Sequence, residues 1–358
     1  MEVFLILAAL AVAFSNGAND NFKGFATVWG SETLDYRRAL TLATLATVAG
    51  SLASLLLAES LVQQFSGKGL VSDVVASAPL FIASVASGTA MTVFLATRLG
   101  FPVSTTHALI GGLVGAGLAQ NGAVHLDRLA STFLMPLLVS PMLAAALGAV
   151  AYSVFRLCPV DKDCACVALP EPAKPSPVDG AVAVHFAIPD VVVASVADCE
   201  RLDTPVRWSV SRSMDRLHVL SAMAICFARG VNDTPKLTAL LLAANLLSAQ
   251  GSILVITAVM AVGGLLFSRR VAQTMSQRVT RMDHTQGLSA NLITAVLVLF
   301  ASKLGLPVST THVSVGAIAG VGANAGTLDW VALRNILLSW GATLPLAMGL
   351  AWSIGRIV

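Results

Sequence analysis

Apolar residues arrive in long blocks, separated by short polar stretches, and the blocks come in the same order twice. Leu40–Leu57, Leu129–Val154, Ala290–Ser302 with its flanks and Ile336–Ile354 approach or reach the roughly 18 apolar residues that mark a membrane-spanning helix. Read along the chain, the pattern predicts one broken helix over 3–29, a span over 38–58, a pair over 74–98 and 103–119, and a span over 129–155. The second half repeats this as 217–245, 251–267, 286–302 with 307–324, and 332–355. Val3–Phe14 follows Glu2 rather than a basic segment, so it reads as a retained helix and not as a cleaved signal. The expected fold is an all-α polytopic membrane protein made of two inverted repeats with broken helices and helical hairpins. Repeat 1 covers 1–156 and repeat 2 covers 213–358.

Composition agrees with a membrane protein. Hydrophobic residues make up 56% of the chain and charged residues 11%, against roughly 45–50% and 25% in soluble domains. Mean hydropathy is +0.80. A net charge of +3 gives no reason to expect nucleic acid as a partner; the lipid bilayer is the expected surrounding. With these spans, and with Arg98, Arg229 and Lys303 left out because they lie at pair tips or a helix break, Arg37, Arg38, the 156–216 segment, Arg269, Arg270, Arg278, Arg281 and Arg334 fall on one side, and only Lys68, Arg128 and Arg356 on the other. The excess of basic residues makes the first side cytoplasmic and puts both termini outside. Each half crosses an odd number of times, whether its pair spans or dips in and out, so the halves are expected to be inverted relative to each other.

Residues 157–212 break the pattern. Pro170, Pro172, Pro175 and Pro177 lie here, with one strand-like run at Val191–Val193, and the segment reads as a cytoplasmic insert joining the halves. It also holds Cys158, Cys164, Cys166 and Cys199. Facing a reducing compartment, these are expected to be free thiols rather than disulfides. Their spacing does not match a standard zinc knuckle, though a metal site remains open as an alternative.

The chemistry lies in residues written twice. Pro-Val-Ser-Thr-Thr-His occurs at 102–107 and at 307–312, and Gly100, Gly111, Gly115 and Gly117 have counterparts in Gly305, Gly316, Gly320 and Gly322. Gly17-Ala18-Asn19-Asp20 is echoed by Gly230-Val231-Asn232-Asp233, each followed three residues later by a lysine, Lys23 or Lys236. An Asp or Lys at mid-bilayer costs about 2.5–3.5 kcal/mol on insertion scales; bearing that cost twice at matching places implies a use. Interrupted helices in paired repeats point to a transporter site near the midplane. Gly17 and Gly230 are expected to permit the interruption. Ser104 and Ser309 are placed to cap the helices that follow. Amides at those helix starts, with the hydroxyls of Thr105, Thr106, Thr310 and Thr311, would surround a tetrahedral oxyanion with donors.

Plainer readings stand beside this one. Ser and Thr in membrane helices often bond back to their own carbonyls. Asp20–Lys23 and Asp233–Lys236 have the i, i+3 spacing of structural ion pairs. His107 and His312 suit a structural hydrogen bond as well as a substrate contact. An intramembrane hydrolase built on Ser104 or Ser309 with a histidine would need one nucleophile, not two, so no enzyme activity or catalytic residue is expected, and no cofactor or metal is expected in the membrane halves. An anion channel would need the same donors as a transporter.

Asn16-Gly17-Ala18-Asn19-Asp20, its echo at 230–233 and the paired Pro-Val-Ser-Thr-Thr-His resemble the inorganic phosphate transporter family, which has a bacterial branch that moves sulfate. The resemblance covers both membrane halves and leaves out the insert. It implies a homodimer in the cell (inner) membrane that moves phosphate with Na⁺ or H⁺ as a secondary transporter. The substrate site it implies falls on Ser104, Thr105, Thr106, Ser309, Thr310, Thr311, Asn19, Asp20, Asn232 and Asp233; Lys23 and Lys236 join them by position. The chain departs from the family where Lys23 and Lys236 stand in place of an amide, and where Ala86 and Asn291 stand in place of glutamates. Cation ligands are lost and ammonium groups gained, so transport is expected not to require Na⁺, with phosphate as substrate and sulfate as the alternative.

Overall fold

In the computed structural model, which describes residues 2–155, 164–168, 190–201, 207–243, 247–277 and 282–357, the long helices run in two series of matching order. The first is α1 (Glu2–Asp20), α2 (Ala26–Gly30), α3 (Tyr36–Leu57), the hairpin α4 (Pro79–Leu99) and α5 (Thr105–Ala119), and α6 (Met135–Phe155). The second is α7 (Val210–Ala243), α8 (Ala249–Phe267), α9 (Arg269–Gln277), the hairpin α10 (His284–Lys303) and α11 (Thr310–Ala325), and α12 (Trp330–Ile357). Among the described residues, seven helical segments are long and apolar enough to cross a membrane. The chain is a multi-pass, nearly all-helical membrane protein. The 34-residue α7 is not one of the seven, because it carries Arg229, Asp233 and Lys236 along with charges nearer its start.

The interruption expected at the two glycine motifs occurs once, and not at the glycine. Helix α1 runs through Gly17 to Asp20; a 3-10 turn over Lys23–Phe25 then leads into α2. Helix α7 passes through Gly230 and Pro235 without a break. The two glycines are there for close packing instead. A Cβ on Gly17 would sit 1.9 Å from the Met260 carbonyl oxygen, and one on Gly230 would sit 2.3 Å from that of Thr47. The same contacts recur in the other direction, at Gly263 against Phe14 and Gly50 against Phe227. Helix α1 thus lies on α8 as α7 lies on α3. The hairpins obey the same exchange: Gly111 and Gly115 bring α5 against Leu344 and Met348 of α12, and Gly316 and Gly320 bring α11 against Pro141 and Ala145 of α6. Small residues that let helix backbones meet are the usual device for association in lipid. A methyl added at Gly230 overpacks this contact, so Gly230→Ala is expected to cost about 1–3 kcal/mol. Gly341, whose Cβ would meet nothing within 4 Å, is the control site. Thermal unfolding of the two alanine variants in detergent checks this: a clear loss for Gly230→Ala, none for Gly341→Ala.

Each hairpin turns on a glycine with positive φ, 80° at Gly100 and 69° at Gly305, a conformation that side chains rarely adopt. Four residues after each, the next helix opens under a serine cap. Ser104 Oγ accepts from the His107 amide at 3.1 Å and Ser309 Oγ from the His312 amide at 3.2 Å, as the sequence predicts.

Two compact units are present: residues 1–155 with 218–358, and residues 156–217. In the second, β1 (Cys164–Ala168) pairs antiparallel with both β2 (Asp190–Ala194) and β3 (Arg207–Ser209). The run Val191–Val193 lies in β2. The short helix Val196–Arg201 follows directly and turns Cys199 back onto β1. There Cys199 forms a disulfide with Cys166, their Cα atoms 5.8 Å apart, inside the range such a bond requires. The expectation of free thiols is overturned at these two positions by that chain reversal. Cys164 is a free thiol, and Cys158 lies outside the described residues. Among the described residues no group of three or more His, Cys, Asp or Glu is placed to hold a metal ion.

Candidate functional site

The break after α1, the middle of α7 and the two hairpin openings meet in one buried hydrogen-bonded network. Lys23 Nζ reaches three oxygens: an Asp20 carboxylate oxygen in a very short contact, the Val103 carbonyl at 2.8 Å, and Thr311 Oγ1 at 2.5 Å. Lys236 Nζ makes the equivalent set: Asp233 Oδ1 at 3.6 Å, the Val308 carbonyl at 2.8 Å and Thr106 Oγ1 at 2.9 Å. Each ammonium therefore joins the carboxylate three residues before it, the carbonyl at the tip of its own half's hairpin, and a threonine of the other half's hairpin. The two threonines also donate to those carbonyls, Thr311 to Val103 and Thr106 to Val308. Both lysines and both aspartates are at most 4% exposed.

The asparagines hold the hairpin openings. Asn19 donates to Thr97 Oγ1 and to the Phe101 carbonyl and accepts from the Val103 amide. Asn232 donates to the Val308 carbonyl and accepts from Ser302. Thr105 donates to Asp20 at 3.3 Å, and Thr310 is buried on the first turn of α11. Ser104 and Ser309 sit at the same tips, but as caps. The sequence-predicted residues are thus brought together, with the lysines in the ion pairs their spacing allowed.

Other members were not singled out from sequence. Asn16 donates to Asp20, Thr105 and Asp233, linking the halves. Arg229, 2% exposed, donates to Asn16 Oδ1 at 2.8 Å and to Asn21 and Thr47. A signal for both existed. Asn16 and Arg229 stand at the same step before their Asn-Asp pairs, just as Thr97 and Ser302 stand at the same step before their Pro-Val-Ser-Thr-Thr-His.

His107 and His312 belong to the packing between the hairpins. Their rings meet edge to face at 4.5 Å, and His312 lies 3.8 Å from the Trp340 ring. Trp340 in turn donates to the Pro102 carbonyl. Where the family pattern has glutamates, Ala86 is part of the apolar core and Asn291 bonds to Thr27 and Ser221. A cavity of about 740 Å³, lined by Gly100, Phe101, Thr274, Asp329 and Asn335 among others, reaches the first hairpin opening. The arrangement gathers paired hydroxyls and ammonium groups from both halves, each ammonium seated among carboxylate, carbonyl and hydroxyl oxygens.

Comparison with known proteins identifies the family. An Arabidopsis thaliana protein, chloroplastic inorganic phosphate transporter 2-1, is 28% identical over 97% of this chain and 70% of its own length. A Pyrococcus furiosus protein named as a phosphate permease is 27% identical over 96% and 92%. A solved structure titled the sodium-dependent phosphate transporter superposes with a TM-score of 0.78 over 99% of this chain and 98% of that one, at 20% identity, and so shares the fold. The model of the phosphate transporter family matches residues 16–351, and the chain belongs to that family.

Proposed function

We propose that the protein is a secondary transporter that binds inorganic phosphate between the two hairpin openings and carries it across the membrane without requiring Na⁺. The family membership supports phosphate over sulfate. The observation that carries the rest is the surroundings of the two ammonium groups. Carboxylate, backbone carbonyl and hydroxyl oxygens, gathered from both halves, are the ligands a hard metal cation takes, and in transporters of this kind carbonyls at helix interruptions hold the coupling ion. Lys23 and Lys236 occupy two such cages with covalently attached charges. A compact ammonium with three donors fits such a cage. Sodium would have to displace a buried charge that is tethered to the chain.

The substrate-binding residues in this reading are Thr105, Thr106, Thr310 and Thr311, with Ser104 and Ser309 shaping the tips. Asn19, Asp20, Asn232 and Asp233, with Lys23 and Lys236, hold the helices on either side. The reciprocal glycine contacts support an inverted pair of repeats, and the excess of basic residues on one side supports termini on the outer face and the 157–212 segment on the inner. Proton-linked or uncoupled transport follows. Uptake of labelled phosphate into proteoliposomes, with Na⁺ replaced by choline at fixed pH, should proceed at an unchanged rate. A strict Na⁺ requirement would overturn the Na⁺-independent part of the reading. Counterflow that saturates with phosphate separates a carrier from an anion channel, for which no exchange would be seen.

A further inference from the structure

Three arginines beside the first hairpin opening take no part in the buried network. Arg98 lies two residues before the Gly100 turn that ends α4, and Arg269 and Arg270 open α9. All three line one cavity of about 450 Å³, together with Leu266 and Phe267 from the end of α8. Their side chains have defined seats. The Arg98 guanidinium carbon lies over the rings of Phe94 and Phe267 at 5.8 and 5.9 Å, and that of Arg269 lies over Tyr36 at 5.7 Å. Arg270 Nη1 donates to the Arg98 carbonyl at 2.5 Å. With Thr274, whose hydroxyl is 3.6 Å from where a Cβ on Gly100 would be, this bond sets α9 against the hairpin tip.

Positive charge is left over at this place. An arginine keeps its proton in a protein, and among the described residues none of the three forms an ion pair. Two of them also stand in the first turn of α9, which has no acidic residue. That end of a helix favours anions and disfavours cations, and its first amides have no partner within the helix. Three guanidiniums gathered there are unfavourable without a counter-charge. Phosphate suits them, because a guanidinium fork meets two phosphate oxygens with parallel N–H groups.

The surroundings indicate what carries the phosphate. Helix α8 is one of the segments long and apolar enough to cross a membrane, and it ends at Phe267, two residues before Arg269. Leu266 is 66% exposed, so the cavity has an apolar flank on the membrane-spanning side of the arginines. Apolar chains beside Leu266 and a charge beside the arginines is the order of groups in a phospholipid. A water-soluble anion would gain nothing from that flank.

We infer that Arg98, Arg269 and Arg270 form a binding site for an anionic phospholipid, its phosphate among the guanidiniums and its acyl chains beside Leu266. Basic pockets between membrane helices on the cytoplasmic side take such headgroups, and the basic side of this protein is the one proposed above to face inward. The bound lipid would contact α9 where that helix meets the first hairpin. This site is separate from the buried network, so lipid binding and phosphate transport stand or fall separately.

The test uses the full chain purified in a neutral detergent, with phosphatidylglycerol and phosphatidylcholine of identical acyl chains as probes. Lipid retained on the intact protein is counted by native mass spectrometry. The unmodified protein is expected to prefer phosphatidylglycerol at least about tenfold, since each basic residue near a membrane surface is worth about fivefold in affinity for an anionic lipid. Arg98→Gln, Arg269→Gln and Arg270→Gln should then each weaken retention about fivefold, and together about 100-fold. Arg334→Gln, which removes an exposed arginine outside the cavity, should leave retention unchanged. Glycerophosphoglycerol, the water-soluble headgroup, should not displace the lipid at equal concentration. Equal retention of the two lipids by the unmodified protein overturns the inference, and that arm needs no variant to fold. A triple variant, monodisperse on size exclusion, that holds phosphatidylglycerol as before overturns it as well. So does a loss on Arg334→Gln as large as that on Arg98→Gln, which would mean a general attraction of charge. Displacement by glycerophosphoglycerol on equal terms would make the ligand a free anion and overturn the lipid assignment.

Discussion

Replacing Ser104 with leucine is expected to abolish phosphate uptake, and replacing Ser309 with leucine is expected to do the same. Each serine is 1% exposed and caps the helix that opens its hairpin. Loss of a serine cap alone costs about 1 kcal/mol, so Ser104→Ala should fold with a modest loss of stability and keep part of its activity. Leucine adds volume at the one place in each hairpin where the backbone must stay beside the lysine. The Val103 carbonyl that accepts from Lys23 precedes Ser104 directly, and the Val308 carbonyl that accepts from Lys236 precedes Ser309. A displacement of about 1 Å in a positioned group can lower turnover about 100-fold. The effect should also be equal in the two halves, because each tip is held by both lysines, one through its carbonyl and the other through Thr106 or Thr311. Initial rates of labelled phosphate uptake, in variants shown to be monodisperse, provide the measurement. Full activity in either leucine variant would mean that the two tips do not share one substrate.

Duplication is what made the site readable from sequence. A serine or threonine in an apolar run carries little information alone, but the same six residues at 102–107 and 307–312 identify both hairpin tips at once. The helix order followed from block length for the same reason. What sequence did not reveal was how the glycines are used. A glycine beside Asn-Asp allows an interruption and also allows a close helix contact, and only the partner decides. At Gly17 and Gly230 the partners are backbone carbonyls less than 2.5 Å from where a Cβ would be, so the positions are helical and packed. A lone arginine near the end of an apolar run normally reaches toward water, and by itself Arg229 gives no sign in the sequence of pointing inward. Its burial depends on Asn16, Asn21 and Thr47 of the other half, which nothing in the local sequence places nearby. The Cys166–Cys199 bond likewise depends on a strand register between segments 33 residues apart; spacing alone does not give it.

The aspartate–lysine pairs should dominate stability, and unequally. Asp20 has one cationic partner in direct contact, Lys23, and otherwise accepts from Asn16 and Thr105. Asp233 has two, Lys236 at 3.6 Å and Arg229 at 3.5 Å. Removing one member of a buried pair leaves a charge with no water and no counter-charge, at a cost of about 3–5 kcal/mol. Lys23→Gln is therefore expected to destabilise by that amount, since only neutral donors remain around Asp20. Lys236→Gln should cost less, because Arg229 still faces Asp233. Asp20→Asn also strands a charge, that of Lys23 against the Val103 carbonyl and Thr311. The double variant Asp20→Asn with Lys23→Gln strands none, so it should be more stable than either single variant. Thermal unfolding in detergent, carried through the cycle of single and double variants, measures the coupling directly. If the two single losses simply add in the double variant, Lys23 is not paired to Asp20 in the folded protein. The ammonium would then be available to the substrate in the resting site, and the tethered-cation account of Na⁺ independence would lose its structural basis.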